Sequence, residues 1–211
     1  MARRFRVPPW APWGLTVAAA VALPVLLLNL AVAFFGNNVI FPLSPFHLGS
    51  KLHALGRYFA HRPLCLFLGH PEPHGLIASA EKRHHLPGGL LEALLEVESG
   101  TRPHRISSTG AMGMGQMVPS TAKLLGVDDP FDTPQAVEAS ARYLSEQLVH
   151  FHSVPLAVAA YNAGPGNVQG HVPHNGETEF YVARVTAGYA RLRAARHVPI
   201  NRKWTPSPLS Y

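Results

Sequence analysis

Residues 15–35 read LTVAAAVALPVLLLNLAVAFF, a stretch without one charged side chain. An α-helix needs roughly 20 apolar residues to cross the hydrocarbon core of a bilayer, and this stretch meets that length. Pro24 and Asn29 lie inside it, and a membrane helix tolerates both. Trp10 and Trp13 precede it, at a position where interfacial aromatics are common, and Arg3, Arg4 and Arg6 come before those. By the positive-inside tendency, residues 1–14 are expected to stay in the cytoplasm and everything after residue 35 to be exported. The competing reading is a cleaved signal peptide, whose apolar region runs about 7–15 residues to a small-x-small site. Ala31-Val32-Ala33 offers such a site, but the apolar run continues through Phe34-Phe35. The expectation is therefore an uncleaved transmembrane helix at 15–35.

Charge is distributed to match. The net charge is +6, yet the first 71 residues hold Arg3, Arg4, Arg6, Lys51, Arg57 and Arg62 and no Asp or Glu. The remaining twelve Lys/Arg are balanced by all twelve acids. A nucleic-acid binder concentrates basic residues on its folded domain, so nucleic acid is not an expected partner. An excess flanking the most apolar stretch suits a membrane surface. Cys65 is the single cysteine, which excludes an internal disulfide framework and a cysteine-rich zinc site. It also lies too far along the chain to be a lipoprotein acylation site.

Residues 36–74 are expected to form a connector. Asn37, Asn38, Pro42 and Pro45 interrupt any helix leaving the membrane; Leu48, Leu52, Leu55 and Phe59 then recur at helical spacing. That second part is predicted as an amphipathic helix, either lying on the membrane surface or packed against the domain that follows. From residue 75 the pattern is helical throughout. Short helices are predicted at 76–85, 90–98, 119–125, 133–151, 155–161 and 177–196. The punctuation comes from Pro87-Gly88-Gly89, from Gly100 with Pro103, from Pro119, from Asp132 or Thr133 before Pro134, and from Gly164-Pro165-Gly166. Residues 107–115 are rich in Ser and Gly and read as a loop. No strand and no repeat is predicted, so the fold class is all-α, with short helices around a cleft. Residues 197–211, with Pro199, Pro206 and Pro208, are expected to be a loose tail.

Three segments carry the candidate chemistry. They are Glu98-Ser99-Gly100; Ser107-x-x-Gly110-Ala111-x-Gly113-x-x-Gln116-x-x-Pro119-x-Thr121-Ala122; and Ala160-Tyr161-Asn162-Ala163-Gly164-Pro165-Gly166 followed by Glu177-Thr178-x-x-Tyr181-Val182. Their order and spacing resemble the soluble lytic transglycosylase-like family (SLT domain), within the lysozyme-like superfamily. The resemblance covers about residues 75–195. It implies a lysozyme-like helical domain at 75–196 with a substrate cleft, and a substrate of bacterial peptidoglycan. It implies cleavage of the MurNAc-GlcNAc β-1,4 bond with formation of 1,6-anhydromuramic ends, without a cofactor. Together with the apolar stretch, it implies a single-pass protein of the bacterial inner membrane with its domain in the periplasm. The role implied is wall remodelling, or opening the wall for a secretion or conjugation apparatus. The alternatives are a lysozyme-type muramidase acting on the same bond and a non-catalytic peptidoglycan-binding scaffold.

The chemistry also follows from the residues. Glycoside cleavage protonates a weakly basic ether oxygen as an oxocarbenium-like state develops, so the donor must remain protonated near neutral pH. Glu98 falls in the last turn of its predicted helix, where the negative end of the helix dipole disfavours a carboxylate. Leu94, Leu95 and Val97 surround it with apolar groups, and both effects raise its pKa. No acid lies between Glu98 and the Asp128, Asp129, Asp132 group. Most glycosidases use two carboxylates, with substrate-assisted enzymes among the exceptions. The family resemblance implies a single acid that acts twice, with the muramic C6 hydroxyl in place of water. It further implies that Ser107 and Gln116 line the cleft and that Tyr161 approaches Glu98 from the opposite wall. Asn162 is expected to fix the turn carrying Tyr161, and Glu177 to start a helix near the cleft. Gly110, Ala111 and Gly113 are expected to let the backbone come close to a sugar. Each has a bland counterpart: a solvated helix-end acid for Glu98, a core residue for Tyr161, a loop-internal bond for Gln116 and a helix cap for Glu177. The chain departs from the family at Met114-Gly115, where Leu-Met is usual, at Val118, where Met often stands, and at Ala136, where Asn is usual. Thirteen histidines occur, but no His-Glu-x-x-His motif, and the His70–His74 spacing is broken by Pro71 and Pro73, so no metal is expected.

Overall fold

The structure, a computed structural model, describes residues 11–36, 38, 40–68 and 73–197. The expected cytoplasmic segment up to residue 10, the 69–72 part of the connector with His70, and the tail from 198 lie outside the described residues. The described elements are helical: α1 (Ala11–Phe35), α2 (Leu48–Leu68), α3 (Pro73–Arg83), α4 (Leu90–Ser99), α5 (Pro119–Leu124), α6 (Thr133–Phe151), α7 (Val154–Ala163) and α8 (Glu177–His197). A single 3-10 turn at Pro165–Asn167 separates α7 from α8. The helix boundaries predicted from Pro and Gly punctuation agree to within a few residues. Extended structure among the described residues is limited to two isolated bridges, Ile106 with Met112 and Met112 with Met117.

The domain is assembled around α4. Leu90, Leu91, Leu94 and Leu95 are fully buried, so two faces of a ten-residue helix are covered at once. They share a core with Ile77 and Ala80 of α3, Val137, Ala141 and Leu144 of α6, Ala157 to Ala160 of α7, and Val182 and Val185 of α8. A helix enclosed this way cannot leave its end groups to water, and both ends have protein partners. Gly100 adopts a left-handed conformation (φ 66°) and donates its N–H to the Glu96 carbonyl. At the other end the buried Glu81 carboxylate of α3 accepts from Gly89 N–H at 2.8 Å to each oxygen and from Leu91 N–H at 3.1 Å. A carboxylate on helix N–H groups also meets the positive end of the macrodipole.

α6 begins as the sequence suggested: Asp132 accepts from the Gln135 N–H at 2.9 Å, with Pro134 in the first turn. The connector differs from a simple tether. Its helix α2 is packed against the domain and against the end of α1. Ala54 and Leu55 join Val32 of α1 in a second core with Ile106, Met112 and Phe131. His61 meets Asp129 at 2.6 Å, and Tyr58 stacks edge-on against Phe131.

Removing the Glu81 cap is expected to lower stability without altering the helix content of the rest. Glu81→Ala should cost about 1.5–3 kcal/mol, the range for hydrogen bonds to a charged group, measured as a shift in urea midpoint at constant m-value.

Candidate active site

Glu98 occupies the last turn of α4, one residue before the terminal Ser99. It opens onto a cleft of about 290 Å³ whose lining includes Ser107, Ala111, Gln116, Tyr143, Tyr161 and Asn162, and Glu98 is the one carboxylate among the lining residues. Burial pushes its pKa up to about 7; a hydrogen bond from Tyr181 and the charge of Arg105 pull in the opposite direction with less effect. The upward shift expected from the sequence is present, with burial as its leading cause.

The Tyr181 hydroxyl donates to Glu98 Oε1 at 2.6 Å. Tyr181 is buried in the first turns of α8, where that helix packs along α4. Sequence reasoning quoted this residue within a motif but assigned the approach to Tyr161. Both tyrosines stand at the site: Tyr161 shares the cleft lining with Glu98, and Tyr181 makes the hydrogen bond to it. Tyr161 lines the cleft, and its hydroxyl donates to Ser140 Oγ at 2.9 Å. The Tyr181 contact joins residues 83 apart in the chain, so no local signal in the sequence separates the two tyrosines.

The other expected site residues are placed as follows. Ser107 lines the cleft, and its Oγ accepts from Ala111 N–H at 2.9 Å and Thr109 N–H at 3.2 Å, so it shapes its own loop. Gln116 lines the cleft in a left-handed backbone conformation (φ 47°), with its side-chain NH2 donating to the Gly113 and Arg105 carbonyls at 2.8 and 3.2 Å. Asn162 lines the cleft and accepts from the Thr178 hydroxyl at 3.0 Å, which ties the turn after α7 to the start of α8. Glu177 does not join them. It is exposed as the first residue of α8 and is absent from the cleft lining, because the neighbouring Thr178 is the residue that turns inward.

The small residues of the loop need a correction as well. Ala111 lines the cleft, but Gly110 (φ 83°) and Gly113 (φ 71°) have no room for a sugar behind them. A Cβ on Gly110 would lie 2.6 Å from the Ser50 carbonyl carbon of α2, and one on Gly113 would collide with the Pro130 carbonyl. These glycines allow protein backbone, not ligand, to approach. At Gly115, where the sequence departs from the family pattern, the carbonyl accepts from the Tyr161 hydroxyl at 3.4 Å, and an added Cβ would run into the Ser140 hydroxyl. The position that usually carries a large side chain is filled by the hydrogen-bonded Tyr161 and Ser140 hydroxyls.

Behind the carboxyl, Arg105 has a buried Nε with no hydrogen-bond partner. Arg102 Nε donates to the Ser99 carbonyl at 2.9 Å and folds the chain back after Gly100. The chemical capacity of the cleft is that of one carboxyl group able to hold or release a proton near neutral pH, beside a buried phenol that stabilises its ionised form.

The fold and cleft are those of a helical domain with one buried carboxyl at its site, and the comparisons place it in a family. Residues 75–183, more than half of the chain, match the Transglycosylase SLT domain model. The chain belongs to that family. It is 38% identical over 96 residues to membrane-bound lytic murein transglycosylase F 2 of Alkalilimnicola ehrlichii, covering 42% of this chain and 21% of that protein. It is 35% identical over 88 residues to a transglycosylase of Enterobacteria phage PRD1, covering 42% and 33%. The chain thus spans a third or less of these curated relatives. Among solved structures it is similar to the lytic transglycosylase Slt of Pseudomonas aeruginosa, an inactive variant, with a TM-score of 0.51 and 22% identity over 72% of this chain and 31% of that one. That similarity supports the fold.

Two outcomes follow from the Glu98 environment. A raised carboxyl pKa means that the folded state binds the proton more tightly than the unfolded chain. Stability is therefore lost as pH rises from the unfolded value of 4.5 through about 7. Glu98→Gln is expected to be more stable than the parent above pH 7, by on the order of 2–3 kcal/mol, with the difference shrinking toward pH 4; urea unfolding across pH reads it. Tyr181→Phe removes a bond made to the ionised form, so the Glu98 pKa should move further upward, as read by carbon-detected NMR titration of the carboxyl.

Proposed function

We propose that this chain is a membrane-anchored peptidoglycan lytic transglycosylase with Glu98 as its acid and base. The observation that carries the reading is a single carboxyl in the cleft whose pKa lies near 7. Protonated Glu98 gives its proton to the oxygen of the MurNAc-GlcNAc β-1,4 bond as the bond from C1 to that oxygen breaks. The resulting carboxylate, held by the Tyr181 hydroxyl, then takes the proton of the muramic C6 hydroxyl. That oxygen closes on C1 and leaves a 1,6-anhydromuramic end. No water is consumed, and the carboxyl is restored to its starting state. A pKa near the working pH suits both halves of such a cycle.

Ser107, Gln116, Tyr161 and Asn162 line the cleft and are proposed to contact the sugars. Glu177, outside the lining, is proposed only to start α8. The N-terminal anchor is supported by α1, which contains a 20-residue window of high hydropathy at Thr16–Phe35, and by the arginines before it. In this reading the chain crosses the inner membrane once and works on the periplasmic side, where it remodels the wall or opens it for a large apparatus. The membrane-bound name of the Alkalilimnicola relative and the phage origin of the other are consistent with that placement.

The full chain in detergent, incubated with purified sacculi, is expected to release anhydromuropeptides detectable by mass spectrometry, and Glu98→Gln to reduce their release by at least about a thousandfold, the scale for loss of an essential acid-base group. Reducing muramic ends would show a lysozyme-type hydrolase instead. Wall binding with no release by either form would show a scaffold.

A further inference from the structure

The leucine and phenylalanine stripe of α2 is split: Leu55 is buried against the domain, yet Leu52 is 66% and Phe59 49% exposed, while Lys51 is fully buried. The reason is Asn29 of α1. Lys51 Nζ donates to Asn29 Oδ1 at 2.7 Å, and Asn29 Nδ2 donates to the Pro42 and Ser44 carbonyls at 3.0 Å each. Burial lowers the pKa of Lys51. Its partner is thus a neutral amide that accepts the ammonium without adding a charge.

These bonds fix heights along α1. The 41–46 turn and the start of α2 are pinned at the level of Asn29, inside the uncharged 15–35 stretch and before its end. Further along, the Phe35 ring meets Tyr58 and Phe59 at centroid distances of 5.6 and 4.9 Å. The last two turns of α1 and the first three of α2 therefore run side by side in the same direction. Val32, in those turns, is buried against Ile106 of the cleft loop. The part of the 15–35 stretch before Asn29 has 14 residues and spans about 21 Å at 1.5 Å per residue, short of a hydrocarbon core of about 30 Å. A bilayer that accommodates α1 must reach the level of Asn29. At that level Phe41 (72% exposed), Phe46 (70%) and Leu52 face outward. The outward face of α2, formed by Gly49, Leu52, His53, Gly56, Phe59 and Ala60, carries no Lys, Arg, Asp or Glu.

We propose that the 41–46 turn and the outward face of α2 sit in the boundary between lipid headgroups and acyl chains of the membrane that α1 crosses. This rests on reading α1 as a membrane span. The domain then rides directly on the bilayer, and the loop carrying Gln116 is held from behind by the membrane-seated helices: Ile106 N–H reaches the Gly36 carbonyl at 3.4 Å, and Gly110 abuts Ser50. The glycan strands within its reach are those running close to the membrane surface.

The test uses the full chain with Cys65→Ser, reconstituted in phosphatidylglycerol and phosphatidylcholine vesicles. Single cysteines replace Val21, Leu52, Phe59 or Val149 and carry an environment-sensitive fluorophore; all four positions are exposed, so the labels leave the core untouched. Lipids brominated in the upper acyl chain act as quencher. Labels at Leu52 and Phe59 are expected to lose about half or more of their emission, as a group about 5–10 Å into the boundary would. The label at Val21 should also be quenched, and that at Val149 should not. Quenching at Val21 with none at Leu52 and Phe59 overturns the proposal and leaves the anchor standing. Emission at Leu52 and Phe59 that is blue-shifted but unquenched overturns it too, since a protein would then cover that face. No quenching at Val21 removes the span, and the proposal with it.

Discussion

The carboxyl of Glu98 sits at the negative end of α4 and among apolar neighbours, two conditions that disfavour its ionised form. A chain could relieve them by letting the last turn fray into water. Here it cannot, because α4 is fixed at both ends: by the Glu81 carboxylate on its first N–H groups and by left-handed Gly100 at its last turn. Relief comes first from Tyr181, carried on α8 beside the core residues Val182 and Val185, and then from the charge of Arg105. The position of α8 is therefore part of the titration of Glu98. The Thr178 bond to Asn162 sets where α8 begins, and the same asparagine lines the cleft. Core packing, helix start and acid are linked by these few contacts.

The opposite wall depends on a different constraint. The 105–117 loop closes on itself through Ser107 and Gln116 and two isolated bridges, too little to hold a loop of that size alone. Its back is supported by Phe131, by α2 and by the last turns of α1. Gly110 and Gly113 are needed there because two backbones meet at van der Waals distance or closer to a Cβ position. The apolar N-terminal helix is in this sense part of the domain's structure and not an appendage to it.

How much of this could be read from the sequence follows from the range of each interaction. Helix limits are local: Pro134 with Asp132, Gly100 and Gly164 act within a turn of their own position, so the elements from 75 onward were readable. The catalytic candidate was readable because helix-end position and apolar neighbours are local too. The Tyr181 contact joins residues 83 apart in the chain, and no spacing rule separates it from Tyr161. The orientation of α2 was hidden for a similar reason. Periodicity puts Leu48, Leu52, Leu55 and Phe59 on one stripe and leaves its facing open, but Asn29, 22 residues earlier, draws Lys51 inward, so that Leu55 is buried and Leu52 and Phe59 stay outside. A residue that seemed an incidental polar interruption of a membrane stretch sets the register of the next helix. Glu177 starts α8, as the resemblance implied, but it is exposed and outside the cleft lining, and its neighbour Thr178 is the residue buried at that helix start, bonded to Asn162.

A single acid in the cleft limits what chemistry can be asked of it. An inverting hydrolase needs a second carboxylate to activate water, and a retaining one needs a second carboxylate as nucleophile. The cleft lining supplies neither: Asp129 is engaged with His61, Asp132 caps α6, and Asp128 is exposed outside the lining. A group that must act as acid and then as base works best when neither form is strongly favoured. For Glu98 burial raises the pKa, and Tyr181 and Arg105 restrain the rise, leaving it near 7. Strengthening either side would improve one half of the cycle and weaken the other. The opposed influences on one carboxyl are thus what the proposed reaction requires, and they tie its rate to the spacing between α4 and α8.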